Sequence, residues 1–287
     1  MSVKISIVMP VYNSGRVLET AIESVLLQTY TNYELIIIDG GSTDNTKEIV
    51  KKYKDQIKIF VSEKDKGYAD ALNKGIKRAT GDYYIMLAAD DYLLSGALKD
   101  FSDELAEETD VWCGNMYCIK EANMMTRFAR VNDVKKIKYG KVLAHPACFF
   151  KIKSFDTFGY YDIDLPVNSD REILLRWFDK GAKFQLSDKY ITVFSCKGMS
   201  TKVADERNIA KITDGEKVSI KYGLDSQKAH NLLKKDYKRR KIGRVIKKLF
   251  ADNYSVMYFI YLVDGQHPLK KRKIRQLNIA ERYFSSQ

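Results

Sequence analysis

Over its first 120 residues the chain alternates short apolar runs with segments in which apolar residues recur at helical spacing. The apolar runs are rich in β-branched residues and predict strands at Ile5–Met9, Glu34–Ile38, Ile57–Val61, Tyr83–Leu87 and Asp110–Ile119. Between them we expect a helix that Ser14 caps and that carries apolar residues from Val17 to Val25, then helices at Asp44–Tyr53, Ala69–Ala79 and Leu94–Glu107. Such an alternation is typical of a parallel sheet with helices on both faces.

Polar and acidic residues follow the predicted strands, where the chain leaves each strand's carboxyl end. They form four short groups: Pro10-Val11-Tyr12-Asn13, Asp39-Gly40-Gly41, Asp65-Lys66-Gly67 and Ala88-Ala89-Asp90-Asp91. Ligands of open α/β sheets bind at this edge, so we expect a binding site there. The chain has neither GxGxxG after the first strand nor the GxxxxGK[ST] loop, which argues against a dinucleotide-dependent dehydrogenase and a P-loop phosphotransferase.

Carboxylates at this edge suit a nucleotide bound without a glycine cradle. Asp39 can accept hydrogen bonds from a base edge or a ribose hydroxyl, while the backbone of Pro10 to Tyr12 shapes a base pocket. The adjacent acids Asp90 and Asp91 are oxygen ligands of the kind that hold Mg²⁺ or Mn²⁺ against a diphosphate. Capping of the next helix, or simple solvation, is the alternative interpretation of that pair.

Between residues 139 and 194 the pattern changes to a stretch rich in Phe and Tyr. It contains His145-Pro146 and Asn168-Ser169-Asp170, followed by a short amphipathic helix predicted at Glu172–Phe178. A histidine in such surroundings is either a hydrogen-bonded structural residue or a functional one, and the sequence leaves both open.

The composition indicates a folded intracellular protein. Of the 287 residues 45% are apolar, which is ample for a packed core, and the four cysteines are too few and too scattered for a disulfide scaffold. The apolar stretch Val256–Val263 is far shorter than the roughly 20 residues of a membrane-spanning helix, and the first residues lack the cleavage site of a signal peptide.

All of the net charge of +12 lies in residues 228–287, which hold 16 Lys and Arg against four acidic residues. Two basic clusters there, Lys234–Lys248 and Leu269–Arg275, flank an apolar, aromatic segment. This arrangement favours binding to an anionic membrane surface, where each basic residue contributes about 1 kcal/mol. A nucleic-acid patch or a solvated helical face are the alternatives.

Residues 3–195 resemble family 2 glycosyltransferases with the GT-A fold. The resemblance is carried in order by VMPVYNSGRVLETAIESVLLQTYTNYELIIIDGGSTDNT, by DKGYADALNKGIKRATGDYYIMLAADD, and by LAHPACFFKIKSFDTFGYYDIDLPVNSDREILLRWFDKGAKF. It implies a nucleotide-sugar site formed by Pro10, Val11, Tyr12, Asn13, Asp39, Asp65, Gly67, Asn73, Ala89 and Asp90. It also implies a divalent metal, Mn²⁺ or Mg²⁺, at Asp90, Asp91 and His145, and Asp170 as the general base. The family's metal motif often begins with an acid where this chain has Ala88.

The resemblance implies a Rossmann-like α/β domain over residues 1–199, with a nucleotide-sugar-binding half at 1–120 and an acceptor half at 121–199. Residues 200–287 would form a helical, basic extension. We therefore predict an inverting, metal-dependent enzyme that moves a hexose or N-acetylhexosamine from a UDP-sugar to a glycan hydroxyl. The acceptor would be lipid-linked, as in O-antigen, lipopolysaccharide or capsule synthesis.

The predicted location is cytoplasmic and peripheral to the inner face of the membrane, with the C-terminal helices as a further candidate for an oligomer interface. Two other functions remain open. One is a sugar-nucleotide-binding protein with impaired catalysis, which Ala88 favours. The other is a nucleic-acid-binding module that uses the basic tail.

Overall fold

The computed structural model describes residues 2–119, 125–127, 133–139, 143–165 and 168–196, together with 218, 221 and 222. The helices are α1 (Leu18–Leu26), α2 (Thr46–Lys52), α3 (Tyr68–Ile76), α4 (Ala97–Glu104), α5 (Ser154–Phe158) and α6 (Ser169–Asp179). The strands are β1 (Ile5–Val11), β2 (Tyr33–Asp39), β3 (Ile59–Ser62), β4 (Tyr83–Met86), β5 (Tyr92–Leu93), β6 (Val111–Ile119), β7 (Met125–Arg127), β8 (Cys148–Lys151) and β9 (Phe184–Ser195).

The strands form one sheet in the order β3-β2-β1-β4-β8-β6-β9-β5, and β7 pairs with the end of β6. The first four strands of this order run parallel to one another, whereas β8 is antiparallel to both β4 and β6. β1 and β2 are almost wholly buried, as expected for parallel strands covered on both faces. The structure thus confirms the predicted α/β class with its Rossmann-like, mostly parallel sheet.

Register brings the carboxyl ends of the parallel strands to one edge. Val11 at the end of β1 is paired with Asp39 at the end of β2, which is in turn paired with Ser62 at the end of β3. The loops that leave these strands therefore start side by side. The polar groups that the sequence places there share a common edge of the sheet.

Two details of the predicted helices are wrong. Ser14 does not cap α1, because its hydroxyl donates to the carbonyl of Tyr12 and a turn precedes the helix, which begins at Leu18. The predicted helix from Leu94 begins only at Ala97, after the two-residue strand β5, which pairs antiparallel with β9. A local hydrogen bond decides the first case, and tertiary pairing, which short-range spacing does not encode, decides the second.

An aromatic core fills the space between the sheet and its later helices. Phe101 of α4 stacks on Phe149 of β8 with ring centroids 3.9 Å apart. Trp177 of α6 is fully buried and makes edge contacts with Phe150 and Phe155 at 5.3 and 4.8 Å. These rings anchor α6, which carries the predicted base, against the sheet.

The four cysteines are all free thiols, as the sequence predicts. Cys113 and Cys148 face each other on β6 and β8 with their sulfur atoms 3.4 Å apart. Burial raises the pKa of the Cys148 thiol well above its usual value. Both thiols are therefore part of the core.

The chain divides into two compact units. The first contains Met1–Met116, Arg130–Val134 and Val142–Val193, and the second contains Tyr117–Ala129, Lys135–Lys141 and Phe194–Gln287. Every residue that the sequence predicts for the site lies in the first unit. The predicted boundary at residues 199 and 200 and the helical form of the basic extension fall outside the described residues and stay predictions. No helix among the described residues is long and apolar enough to cross a bilayer.

A buried carboxylate at the start of the sheet makes stability depend on pH. Glu34 accepts hydrogen bonds from Ser6, Thr80 and Lys4 at 2.6 to 2.9 Å. Burial alone would raise the pKa of Glu34, but these hydrogen bonds outweigh it and lower the pKa from 4.5 to about 2. Because the folded pKa lies below the unfolded one, the stabilisation is complete above pH 4.5 and is lost as the pH falls toward 2.

We expect Glu34→Gln to lower the free energy of unfolding at pH 7 by about 3 kcal/mol and to flatten its decline between pH 4.5 and 2. Urea unfolding of both proteins across this pH range measures the difference. Glu48→Gln, which removes an exposed acid from α2, is the control. Equal pH dependence of the wild type and Glu34→Gln would contradict this assignment.

Candidate active site

The loops after β1 and β2 are hydrogen-bonded to each other. Asn13 has a left-handed backbone, with φ of 47°, and its amide donates to the Ser42 hydroxyl at 2.7 Å. Its side-chain oxygen accepts the Thr43 amide at 2.9 Å. Next to it Tyr12 remains 51% exposed, while Val11 is buried at the end of β1 after Pro10. A rigid pair of loops thus presents one open aromatic side chain at the sheet edge.

Asp39 lies beneath these loops and is fully buried. Its carboxylate accepts hydrogen bonds from the amide and hydroxyl of Ser42, at 3.0 and 2.5 Å to Oδ1, and from the hydroxyl of Ser62, at 2.6 Å to Oδ2. Asp39 therefore fixes the shape of the loop. Its predicted contact with a base or ribose remains a prediction.

Asp65 lies close to the same loop, which brings two predicted donor-site groups together. A methyl group built on Gly40 would come within 2.6 Å of the Asp65 carboxylate. The other carboxylate oxygen of Asp65 accepts the amide of Gly67 at 2.8 Å. Gly67 has φ of 110°, which a side chain rarely permits, and it leads directly into α3.

The acids after β4 occupy a tight turn in which the Asp91 amide donates to the carbonyl of Ala88 at 3.0 Å. Asp91 is buried, with 1% exposure, and Ala89 is buried as well. Asp90 is half-buried at the surface of this turn. One of the two carboxylates is thus accessible to a ligand.

Asp170 lies in the first turn of α6, which follows Asn168 in a left-handed conformation with φ of 68°. It is half-buried, and its Oδ1 accepts the amide of Arg171 at 2.8 Å. The negative charge of Asp170 raises the pKa of both His145 and Cys148. For His145 this opposes the effect of burial, and for Cys148 it adds to it. Asp170 therefore lies close to the segment around β8.

Tyr68, which the sequence did not single out, connects the two acidic regions. Burial raises the pKa of its hydroxyl well above 10.0, and Tyr84, Asp170 and Asp91 act in the same direction. The carboxylates of Asp91 and Asp170 thus influence one phenol at the start of α3. The donor-side and acceptor-side acids, which are far apart in sequence, border the same region of the first unit.

His145 lies among aromatic side chains and is hydrogen-bonded to a tyrosine. Its Nε2 lies 2.7 Å from the hydroxyl of Tyr161, which is also 3.3 Å from the Tyr84 hydroxyl. The ring is buried between aromatic side chains, and burial lowers the pKa of His145, whereas Asp170 acts in the opposite sense. A neutral, hydrogen-bonded histidine results, which is the structural alternative that the sequence left open.

The side chain of Asn73 is hydrogen-bonded to the backbone of the same tyrosine, Tyr161. Its side-chain amide donates to the Tyr161 carbonyl at 2.8 Å, and its oxygen accepts the Tyr161 amide at 3.0 Å. The two residues are 88 positions apart, so this pair ties α3 to the segment that leads to Asp170. The predicted contact of Asn73 with the donor sugar stays a prediction.

The oxygen ligands of the Asp90–Asp91 turn suit a hard divalent cation, which one or two carboxylates often hold together with substrate phosphates and water. Among the described residues no three His, Cys, Asp or Glu side chains are grouped so that they could hold a metal ion. His145, whose Nε2 lies 2.7 Å from the Tyr161 hydroxyl, stays a predicted member of this site. Asp90 and Asp91 fit such a cation through their carboxylate oxygens.

α6 holds the loop before Tyr161 through Arg176. The Arg176 guanidinium pairs with buried Glu172 at 3.1 Å and donates to the carbonyls of Phe158 and Tyr160. Trp177 adds a hydrogen bond to the Gly159 carbonyl at 3.0 Å. Residues 158–160 are thus fixed to the helix that carries Asp170.

The chain is similar to several proteins that are named as glycosyltransferases. GlyG of Streptococcus pneumoniae is 36% identical over 127 residues, which cover 43% of this chain and 42% of GlyG. The PGL/p-HBAD biosynthesis glycosyltransferase of Mycobacterium bovis is 27% identical over 233 residues, which cover 75% of this chain and 86% of that protein. The chain thus spans less than half of GlyG but most of the mycobacterial enzyme.

Solved structures share the fold at low sequence identity. The chain matches S. aureus TarS 1–349 in complex with UDP with a TM-score of 0.59 and 21% identity, over 76% of this chain and 64% of TarS 1–349. It matches the mannosyltransferase PcManGT from Pyrobaculum calidifontis in complex with GDP-Man and Mn²⁺ with a TM-score of 0.59 and 14% identity, over 100% of this chain and 86% of that one. The likeness confirms the expected GT-A type of fold.

The sequence model of the family described as "Glycosyl transferase family 2" matches residues 6–206. This range includes all four parallel strands, the Asp90–Asp91 turn, and α6 with Asp170. It also agrees with the range over which the motifs resemble that family. The chain therefore belongs to glycosyl transferase family 2.

Proposed function

We propose that this protein is an inverting glycosyltransferase that moves a hexose or N-acetylhexosamine from a UDP-sugar to a hydroxyl of a glycan in cell-surface polysaccharide synthesis. The main support is that the Asp90–Asp91 turn after β4 and Asp170 at the start of α6 lie in the same compact unit and in the range that the family model matches. An acid on the donor side and a second acid on the acceptor side bordering one region is what a direct displacement requires. Membership of the family supports the reaction class.

Asp170 acts as the general base in this proposal. A sugar hydroxyl is a weak nucleophile at neutral pH, so a carboxylate must take its proton as the oxygen attacks the anomeric carbon. Asp170 is half-buried at the start of α6 and keeps its Oδ1 oriented by the Arg171 amide. The attack comes from the face opposite the leaving diphosphate, so the anomeric centre inverts.

The donor would bind along the carboxyl ends of β1 to β4. The exposed ring of Tyr12 provides a face for the base, and the loop that Asp39 shapes lies beside it. Asp65 and Gly67, at the start of α3, are the proposed neighbours of the ribose and sugar. UDP and GDP-Man in the TarS and PcManGT structures support a nucleotide-sugar donor.

Asp90 and Asp91 would hold a divalent cation, Mn²⁺ or Mg²⁺. Such a cation, when bound, neutralises the charge that develops on the departing diphosphate. Asp90 is the more accessible of the two acids, and buried Asp91 supports the turn. The Mn²⁺ of PcManGT supports a metal in this chain.

We further propose that the acceptor is lipid-linked and that residues 228–287 bind the anionic inner surface of the cell membrane. The support is the charge of this segment, which holds 16 basic residues against four acidic ones. A cell-surface acceptor is also consistent with the PGL/p-HBAD name of a relative.

A panel of nucleotide sugars tests the proposed function. We expect hydrolysis of a UDP-sugar in the presence of Mn²⁺, with little turnover after chelation of the metal by EDTA and with recovery when Mn²⁺ is restored. Released UDP is the quantity to measure. Tight binding of UDP without any hydrolysis or transfer would favour the impaired binding protein that Ala88 suggests. Absence of both binding and turnover for every nucleotide would refute the proposal.

A further inference from the structure

Arg171 is next to the proposed base, and no side chain among the described residues pairs with its guanidinium. Within the described residues its side chain forms no ion pair and donates no hydrogen bond, and its Nε is buried without a partner. Burial lowers the pKa of Arg171, and Asp170 opposes this effect. A half-buried cation with an unsatisfied donor is costly unless a ligand completes it.

Arg176, five positions along the same helix, gives the contrast. Its Nε and one terminal nitrogen donate to Glu172, and its terminal nitrogens also reach the carbonyls of Phe158 and Tyr160. α6 thus carries one arginine whose three guanidinium nitrogens each donate inside the protein, and one whose guanidinium makes no hydrogen bond to the described residues. The second arginine, Arg171, directly follows Asp170 in the chain.

We propose that Arg171 binds a phosphate group of the substrates beside Asp170, and that this phosphate belongs to the acceptor. The proposal rests on the proposed function, because it takes Asp170 as the base that receives the acceptor's proton. A planar guanidinium matches two phosphate oxygens, and such charge-assisted pairs are among the stronger hydrogen bonds in proteins. The second possible source of the same chemistry is the diphosphate of the donor.

The test compares the full-length wild type with Arg171→Met, Arg171→Lys and Arg78→Met. Arg78 is exposed near the end of α3, so its replacement removes the same charge elsewhere. Isothermal titration calorimetry measures the binding of UDP with Mn²⁺, and of inorganic phosphate with and without saturating UDP. Circular dichroism and thermal melting check that each variant is folded.

We expect Arg171→Met to weaken phosphate binding to the UDP complex by about 10- to 100-fold while UDP affinity stays unchanged. Arg171→Lys should lose less, and Arg78→Met should behave as the wild type. If Arg171→Met instead weakened UDP binding by a comparable factor, Arg171 would bind the diphosphate of the donor and not a phosphate of the acceptor. Unchanged binding of both ligands by Arg171→Met, an equal loss in Arg78→Met, or no phosphate binding by the wild type would overturn the proposal.

These outcomes are separable from failure of the proposed function. A wild type that hydrolyses no nucleotide sugar and binds no nucleotide would refute the function, and phosphate titration of the free protein would still test Arg171. Conversely, an active wild type whose Arg171→Met variant binds UDP and phosphate equally well would refute only the role of Arg171.

Discussion

Asp170→Asn is expected to reduce sugar transfer by about 10²- to 10⁴-fold while the affinity for UDP stays within about twofold of the wild type. The amide is of nearly the same size as the carboxylate and can still accept the Arg171 amide through its oxygen, so the start of α6 keeps its structure. What it loses is the ability to take a proton. Initial rates of transfer or of UDP-sugar hydrolysis, together with UDP binding, measure the two effects.

Asp179→Asn is the matched control for this variant. Asp179 ends the same helix and is exposed, so the substitution changes the charge of α6 equally but away from the proposed site. We expect near wild-type rates from it. If Asp170→Asn kept more than about a tenth of the activity, or lost UDP binding while normally folded, Asp170 would not be the base.

Arg176→Met is expected to destabilise the protein by about 3 to 5 kcal/mol. Glu172 is fully buried, and Arg176 pairs with it at 3.1 Å. Without Arg176 the buried carboxylate loses this cation, and the carbonyls of Phe158 and Tyr160 each lose a charged donor. Urea unfolding with circular dichroism measures the change in the free energy of unfolding.

A double variant separates the two contributions of Arg176. Glu172→Gln combined with Arg176→Met removes the buried charge together with its partner, so it should be more stable than Arg176→Met alone. The remaining loss relative to the wild type reflects the two carbonyls. An Arg176→Met variant whose free energy of unfolding lies within about 1 kcal/mol of the wild-type value would contradict the structural role given to Arg176.

The parallel half of the sheet could be predicted because its strands are continuous apolar runs. Tyr33–Asp39 is buried along nearly its whole length, and its central residues Leu35–Ile38 form a continuous apolar run that differs clearly from the helices beside it. The positions of Asp39, Asp65 and Asp90 at one edge follow from the same logic, since parallel strands end together. The cap at Ser14 was wrong, and helix and strand ends shifted by a few residues, as in β3, which begins at Ile59.

The antiparallel half was far less predictable. β5 has only two residues and exists because Tyr92 and Leu93 pair with Val193 and Thr192 of β9. β8 lies between β4 and β6 in the sheet although residues 111–119 precede it in the chain. Such pairings depend on contacts between distant residues, which local propensity does not contain.

For the site, the sequence by itself determined which residue types stand at the strand ends, and so the acids available for a nucleotide sugar. Only the tertiary structure decided that Asp91 and Asp170 act on Tyr68, that His145 bonds to Tyr161, and that Asn73 holds the Tyr161 backbone. The physical reason is that a strand or helix is specified by its own spacing of residues. A hydrogen bond across 88 positions is specified only when packing has brought its partners together.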